Sequence, residues 1–261
     1  MTSSELYSLK VGAFDLLFFK DGGGPRDAAG FLPSAPQDEL ERIIRAQNFD
    51  PAALEFALKP ILITHGDQRI LIDTGLGLTM SRLPDRLREN GVTPEEISLI
   101  IITHGHGDHI GGIFDAEGNF VYPNASYVLW RSEWAYWTAE ERFDAADTSH
   151  AKQVWQALKA NAGRVRLIDE RNPQIAPGIC AVPIPGHTVG QIGVELESHG
   201  EKFLHVADAA HHTFQLACPQ WSPQFDADKA QAAETRRAIF ERAARDGVLL
   251  SAYHFTFPGV G

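Results

Sequence analysis

Residues 97–112 read ISLIIITHGHGDHIGG. The first six positions are almost wholly apolar and rich in isoleucine, which suits a strand buried within a sheet. The positions that follow crowd three histidines and an aspartate between His104 and His109, with glycines between and after them. His104 and His106 share one face of an extended backbone, because side chains two apart point the same way. Gly105 and Gly107 let the backbone bend so that Asp108 and His109 converge with them. Imidazole nitrogens with a carboxylate oxygen suit zinc, with manganese, iron and cobalt as alternatives. A strand that delivers such a turn to a sheet edge puts it where functional residues commonly sit. The competing interpretation is a polar surface loop with chance histidines; three histidines and an acid within six positions of a strand end weigh against it.

Outward from this turn the chain alternates strand and helix signals. LKVGAFDLLFFK (9–20) has the character of a first strand. Residues 21–58 differ: DGGGPRDAAGFLPSAPQ is loop-like, DELERIIRAQ has helical spacing, and DPAALEFAL opens as a helix would, with Asp50 as N-cap and Pro51 at the first helical position. PILITHGDQRILIDTG predicts a hairpin, and PDRLREN a short helix stopped by Gly91. After the histidine turn, ASYVLW predicts a strand, SEWAYWTAEE and SHAKQVWQALKAN predict helices, and RVRLID, ICAVPI, IGVELES and EKFLHVAD predict short strands. DADKAQAAETRRAIFERAARDG is the longest helical stretch and ends at Gly247; VLLSAYHF predicts a last strand. Two batches of strands, each followed by helices, point to an α/β protein in which two sheets pack together with helices outside. No repeat or interdomain linker is visible, and 261 residues with 44% hydrophobic content suit one domain over 1–261.

Charge narrows the partners. A net charge of −11 excludes a general nucleic-acid-binding role, which needs a basic surface. The start MTSSELYSLKVGAFDLLFF has neither a basic segment nor a long apolar stretch, so neither a signal peptide nor a membrane span is expected and the location expected is cytoplasmic, unless a leader has been removed. Cys180 and Cys218 are far apart and expected as reduced thiols.

The histidine turn resembles the His-x-His-x-Asp-His signature of the metallo-β-lactamase superfamily. Four further stretches resemble that family's motifs in the same order: LIDTG (71–75), with Asp73 as a buried brace; PGHTVGQ (185–191), with His187; VADAA (206–210), with Asp208; and AYHF (252–255), with His254. The resemblance implies an αββα sandwich of two mixed β-sheets flanked by helices. It also implies two divalent metal ions, zinc first among them: one held by His104, His106 and His187, the other by Asp108, His109 and His254, with Asp208 spanning both. Two such ions about 3.5–4 Å apart would share a water, lower its pKa from about 15.7 toward roughly 7 and supply a bridging hydroxide. Asp108 or Asp208 would orient that hydroxide and carry a proton to the leaving group.

PNASYVLWRSEWAYW (123–137), ADAAHHTFQ (207–215), FDADKAQAAETRRAIFERAARDG (225–247) and SAYHFTFPGVG (251–261) resemble the methyl parathion hydrolase branch and its esterase and lactonase-like relatives. N-acyl homoserine lactonases are close neighbours but carry Tyr where this chain has His211. A histidine there either donates a hydrogen bond or moves a proton, or merely backs up a ligand; His212 is expected to be structural. The function implied is hydrolysis of a small ester, lactone or phosphotriester. Alternatives are a homoserine lactonase or thioesterase, a non-catalytic metal-binding or sensing protein of the same fold, and a mononuclear iron oxygenase. The partner expected is a small-molecule substrate, with a homodimer left open. The 18–58 segment is the expected substrate-pocket region, and Phe18, Phe19, Phe31, Trp134 and Trp137 the candidates for its apolar wall. His65, His150, His199 and His205 carry no motif.

Overall fold

The computed structural model describes residues 5–261. Along the chain come β1 (Leu6–Val11), β2 (Phe14–Phe19), β3 (Gly22–Arg26), α1 (Ala28–Phe31), α2 (Gln37–Ala46), β4 (Leu54–Leu58), β5 (Ile61–His65), β6 (Gln68–Ile72), α3 (Leu83–Glu89), β7 (Leu99–Ile101) and α4 (Gly107–Ile110). There follow β8 (Ser126–Trp130), α5 (Arg131–Trp137), α6 (His150–Ala160), β9 (Val165–Ile168), β10 (Gln174–Ala176), β11 (Ile179–Pro183), β12 (Ile192–Ser198), β13 (Glu201–His205), α7 (Phe214–Ala217), α8 (Lys229–Asp246) and β14 (Leu249–Ser251).

Seven strands form one sheet in the order β1-β2-β5-β6-β7-β8-β9, and five form a second in the order β10-β11-β12-β13-β14. Both are mixed: β6, β7, β8 and β9 run parallel to one another, as do β13 and β14, and the other pairs are antiparallel. The period-2 alternation of a strand divides the isoleucine run between two layers. Ile101 joins Phe18, Ile63 and Ile72 against Ile192, Val194 and Phe203 of the second sheet. Ile100 and Ile102 face the other way, onto Leu83 and Leu87 of α3 and Val154 and Leu158 of α6. On the far side of the second sheet, Leu204 and Leu250 pack against Ile239 and Ala243 of α8. The layers are therefore helix, sheet, sheet, helix, as the resemblance implied. Each fully buried Ile or Leu in these layers stabilises the fold by roughly 1.5–3 kcal/mol.

Long helices obey their local signals. Asp228 caps α8 through a bond from Gln231 N (3.0 Å), and Gly247 ends it in the left-handed conformation at φ +62. Ser149 caps α6 in the same manner. Three expectations are corrected. The stretch 9–20 is two strands, because Gly12, at φ +55, turns the chain between β1 and β2; a Cβ there would lie 2.4 Å from the Ser198 carbonyl oxygen. The loop-like stretch 21–37 contains β3 and α1, with Asp27 accepting from Gly30 N (2.7 Å). The expected helix at 51–58 is β4: Asp50 makes only a turn, accepting from Ala52 N (3.0 Å), and Leu54–Leu58 then pairs with β3. Strand β10 has no counterpart in the expected elements, and β14 ends at Ser251, so that Ala252–Phe255 leaves the sheet.

No helix among the described residues is long and apolar enough to cross a membrane. Cys180 and Cys218 are both free thiols.

Candidate metal centre

The second face of each ligand is fixed before its first is used. At the end of β6 the chain turns through Asp73, at φ +57, a left-handed conformation that aspartate tolerates better than most residues. Its carboxylate is fully buried. Oδ1 accepts from Thr103 N (2.9 Å); Oδ2 accepts from Thr103 Oγ1 (2.7 Å) and from His109 Nδ1 (2.8 Å). Thr74 adds two bonds to the His109 carbonyl, from N (2.7 Å) and Oγ1 (2.9 Å). The brace expected at Asp73 thus locks the end of β7 and the His109 ring together. His104 Nδ1 lies 3.2 Å from Thr103 Oγ1, which accepts because its own proton goes to Asp73.

The later ligands are held equally firmly. His187 Nδ1 donates to Asp226 Oδ1 (2.8 Å), and Arg236 Nη2 donates to Asp226 Oδ2 (3.1 Å). Arg236, fully buried on α8, also donates through Nε to the Ala209 carbonyl beside Asp208 and through Nη1 to the carbonyls of Pro219 and Trp221. His254 Nδ1 donates to the Ala57 carbonyl (3.0 Å), while Ala57 N donates back to the His254 carbonyl (3.2 Å), so β4 is what positions His254. For His104, His109, His187 and His254 the Nδ1 side is held and Nε2 faces inward, whereas His106 presents Nδ1 to the cluster, the arrangements that metal-binding histidines use.

Those lone pairs converge. His104 Nε2 lies 3.1 Å and His187 Nε2 lies 3.0 Å from His106 Nδ1. Tetrahedral zinc with Zn–N of about 2.0–2.1 Å spaces its nitrogens by about 3.3–3.4 Å, so this triad already stands near coordination spacing. A second group forms from Asp108, His109 and His254: His254 Nε2 is 3.4 Å from Asp108 Oδ2, and His109 Nε2 is 3.8 Å from Asp108 Oδ1. Asp208 stands between the two. Its Oδ2 is 3.4 Å from His187 Nε2, 3.8 Å from His104 Nε2 and 3.0 Å from His254 Nε2; its Oδ1 is 3.3 Å from His109 Nε2. His109 Nε2 and Asp208 Oδ1 are buried and make no well-formed hydrogen bond, having only each other's 3.3 Å approach, so a cation between the donor groups would satisfy both. The donor set therefore fits two divalent ions. All seven expected ligands are brought together.

The protein's own electrostatics divide this cluster. Burial, then the neighbouring His109, push His104 well below the ordinary histidine value; burial and His187 bring His106 down to about 3. Burial also opposes charge on Asp208, but His254 and His109 outweigh it and hold the carboxyl well below its usual range. For His109, burial is outweighed by Asp208, Asp108 and Asp73, and the imidazole is held well above its ordinary value; for His254, Asp208 does the same. Ions binding here would compete with protons for His109 and His254.

The centre lies on the floor of a cavity of about 750 Å³. Phe31, Phe56, Leu58, Leu76, Met80 and Phe225 form its apolar wall, and Arg26 is the one cation on its lining. Of the aromatics expected there, only Phe31 contributes. Phe18 and Phe19, on opposite faces of β2, are each buried in a different layer. Trp137 stacks on Trp155, with ring centres 5.9 Å apart and planes at 5°, and Trp134 packs against the same ring. Phe56 and Phe225 take the places expected of them.

His211 is buried and lines the cavity. Its Nε2 is 3.4 Å from Asp208 Oδ2, its Nδ1 has no partner, and its ring stacks on His254 at 5.2 Å. Burial pushes it down to about 4, so it is neutral at pH 7. His212 is packed among Phe49, Phe56 and Phe214, away from the cavity lining. Among the histidines without a motif, His150 Nε2 bonds the Gly111 carbonyl (2.8 Å) and His205 Nδ1 bonds Ser251 Oγ (2.8 Å); neither these nor His65 and His199 enter the cluster. Asp226, Arg236 and Glu133, which hold ligands without being ligands, carry no motif that would mark them in the sequence.

The family model of the metallo-β-lactamase superfamily matches residues 60–254. The chain belongs to the metallo-β-lactamase superfamily. It is 36% identical over 122 residues to a lactamase-like protein, nscB, of Neosartorya fischeri, covering 42% of this chain and 36% of that one. It is 29% identical over 143 residues to the N-acyl homoserine lactonase AiiB of Agrobacterium fabrum, covering 52% and 49%. The chain thus matches less than half the length of these curated relatives. The structure of AidC, a dizinc quorum-quenching lactonase in complex with a product, superposes with a TM-score of 0.88 at 24% identity, over 98% of this chain and 92% of that chain. That likeness establishes the superfamily fold.

Proposed function

We propose that the protein is a metal-dependent hydrolase acting on a small, largely apolar ester, lactone or phosphotriester through a dinuclear centre. The observation that carries this is the sharing of Asp208 by two convergent donor groups on the floor of an apolar-walled cavity. The proposed division is His104, His106 and His187 for one ion, Asp108, His109 and His254 for the other, and Asp208 between them. When bound, two divalent ions would lower the pKa of a shared water toward about 7 and polarise the scissile carbonyl or phosphoryl oxygen. The chain's own groups supply the rest. Asp208 and Asp108 accept hydrogen bonds from the attacking water and orient it. Asp108, whose side chain is 27% exposed at the cavity, carries the proton to the leaving group. His211, neutral and facing the cavity, donates a ring N–H to the substrate oxygen as negative charge develops there. The apolar wall excludes water and seats an acyl or aryl group.

The lactonase name carried by AiiB supports a lactone or ester in preference to a phosphotriester. A panel of lactones, aryl esters, thioesters and phosphotriesters, run with metal analysis and a His104→Ala control, tests the proposal. Turnover of at least one member that depends on metal and on His104 supports it. Full metal occupancy with no turnover on any member turns the assignment to a metal-binding or sensing protein, and oxygen-dependent activity with iron turns it to an oxygenase.

A further inference from the structure

Beneath the first donor triad lies a buried carboxylate that touches none of the ligand atoms. Glu133, on α5, is 1% exposed and has no ion-pair partner among the described residues. Instead it accepts four hydrogen bonds. Oε1 takes Gly105 N (2.9 Å) and the indole Nε1 of Trp137 (2.5 Å), one helical turn further on. Oε2 takes Gly190 N (2.8 Å) and Thr188 Oγ1 (2.9 Å). Gly105 stands between His104 and His106, and Thr188 follows His187. One side chain thus joins two loops, more than eighty residues apart, that carry the three nitrogens of the first triad.

Two glycines make this join feasible. A Cβ on Gly105 would lie 2.2 Å from Trp137 Nε1, and one on Gly190 would lie 2.5 Å from Glu133 N and 2.6 Å from Ser132 Oγ. Both loops approach α5 more closely than any other residue type allows. The opposite side of Gly105 is held as well, since its carbonyl accepts from Trp155 Nε1 (3.1 Å). The second group is supported elsewhere: Asp73 and Thr74 hold His109, Ala57 holds His254, and Tyr253 Oη donates to the Asp108 carbonyl (2.8 Å). None of these contacts involves Glu133.

Resting on the dinuclear reading above, we propose that Glu133 is a positioning residue for the first metal site: it sets the spacing of His104, His106 and His187 and so the affinity of that site, leaving the second site to other supports. The chemistry demands a carboxylate. The amide and indole donors cannot accept, so both oxygens at 133 must be acceptors. In Glu133→Gln one oxygen becomes NH2. If the remaining oxygen stays with Gly105 and Trp137, the new N–H groups oppose the N–H of Gly190, and the His187 loop is pushed off. If the amide turns round, they oppose Gly105 and the indole, and the His104–His106 loop is pushed off. Either way the three nitrogens lose their register.

The test uses the full chain, stripped with chelator and titrated with Co2+ against a chromophoric competitor, so that the two stepwise affinities are read separately. Wild type is expected to bind two ions. In Glu133→Gln one affinity falls by about 10–100-fold, the scale seen when a ligand's outer support is removed, while the other stays within about twofold. In a His254→Ala background, where the first triad is the better-preserved site, adding Glu133→Gln lowers the remaining affinity; in a His104→Ala background it does not. Thr188→Val, nearly isosteric and removing one of the four donors, shifts the first site in the same direction by less, and it carries the test if circular dichroism shows that Glu133→Gln does not fold. Two affinities that fall together, or neither falling, would overturn the inference while the dinuclear reading survives. Wild type that binds fewer than two ions would overturn both, and that result appears before any variant is made.

Discussion

Asp73→Asn isolates the brace beneath the other half of the centre. Asn keeps the shape but has one acceptor oxygen. With that oxygen at the Oδ1 position it still receives Thr103 N; the NH2 then faces His109 Nδ1 at a site that now holds a 2.8 Å N–H···O bond. In the metal-loaded form, where His109 keeps its one proton on Nδ1, the ring relieves the clash only by moving that proton to Nε2, which turns an N–H toward Asp208 and removes the lone pair a cation needs. Two effects follow. Loss of the bonds at Oδ2, both to a buried carboxylate, destabilises the metal-free fold by about 2–3 kcal/mol. Metal affinity at the second site falls by about 10–100-fold. Urea unfolding of the chelator-treated protein reads the first effect, and stepwise Co2+ titration reads the second. The refuting result is an Asp73→Asn protein with both metal affinities within twofold of wild type, whatever its stability.

Three other substitutions probe separate parts of the account. His211→Ala is expected to lower kcat by about 10²-fold with two ions still bound, because His211 is assigned to substrate and not to metal; loss of an ion would instead make His211 a ligand, as its 3.4 Å approach to Asp208 permits. Phe225→Ala, at a half-open position on the cavity wall, should raise KM for apolar substrates by roughly 3–10-fold with kcat little changed, since it removes on the order of 1 kcal/mol of apolar contact. Lys59 is buried with only the carbonyls of Pro258 (3.0 Å) and Gly259 (3.5 Å) as acceptors, and burial lowers it to about 7. Between pH 7 and its unfolded value near 10.5 the unfolded chain binds the extra proton, so stability from this residue rises with pH across that window and is flat below it. Lys59→Met should flatten the slope, by up to about 1.4 kcal/mol per pH unit, in urea midpoints measured at pH 7 and pH 9.5.

The parts of the molecule visible in the sequence are those encoded by local spacing. His104, His106, Asp108 and His109 lie in one turn, and their chemistry is readable there because four metal-binding side chains so close together have few other uses. The caps of α6 and α8, the helical spacing of α2 and the apolar face of α6 are equally local. His187, Asp208 and His254 became readable only through resemblance, since nothing in their own surroundings points to a turn eighty or more residues away. Residues 50–58 misled because Asp50 and Pro51 are sound helix-start signals, and the force that makes β4 a strand comes from β3 and from the His254 backbone two hundred residues on. The aromatic wall misled for a related reason. Phe18 and Phe19 open the expected pocket segment and Trp137 lies in an aromatic-rich run, but strand alternation and helix packing turn them into the core, while Phe56 and Phe225 line the cavity instead. Glu133, Asp226 and Arg236 are single polar residues without spacing, and only their burial and partners reveal them.

The central claim is that seven side chains from four stretches of chain hold two cations side by side. Elemental analysis of chelator-stripped, zinc-reloaded and desalted protein tests it most directly. Two ions per chain are expected for wild type, with one lost on His104→Ala and one on His254→Ala. An ion content near zero in wild type, or two ions retained by both variants, would contradict it.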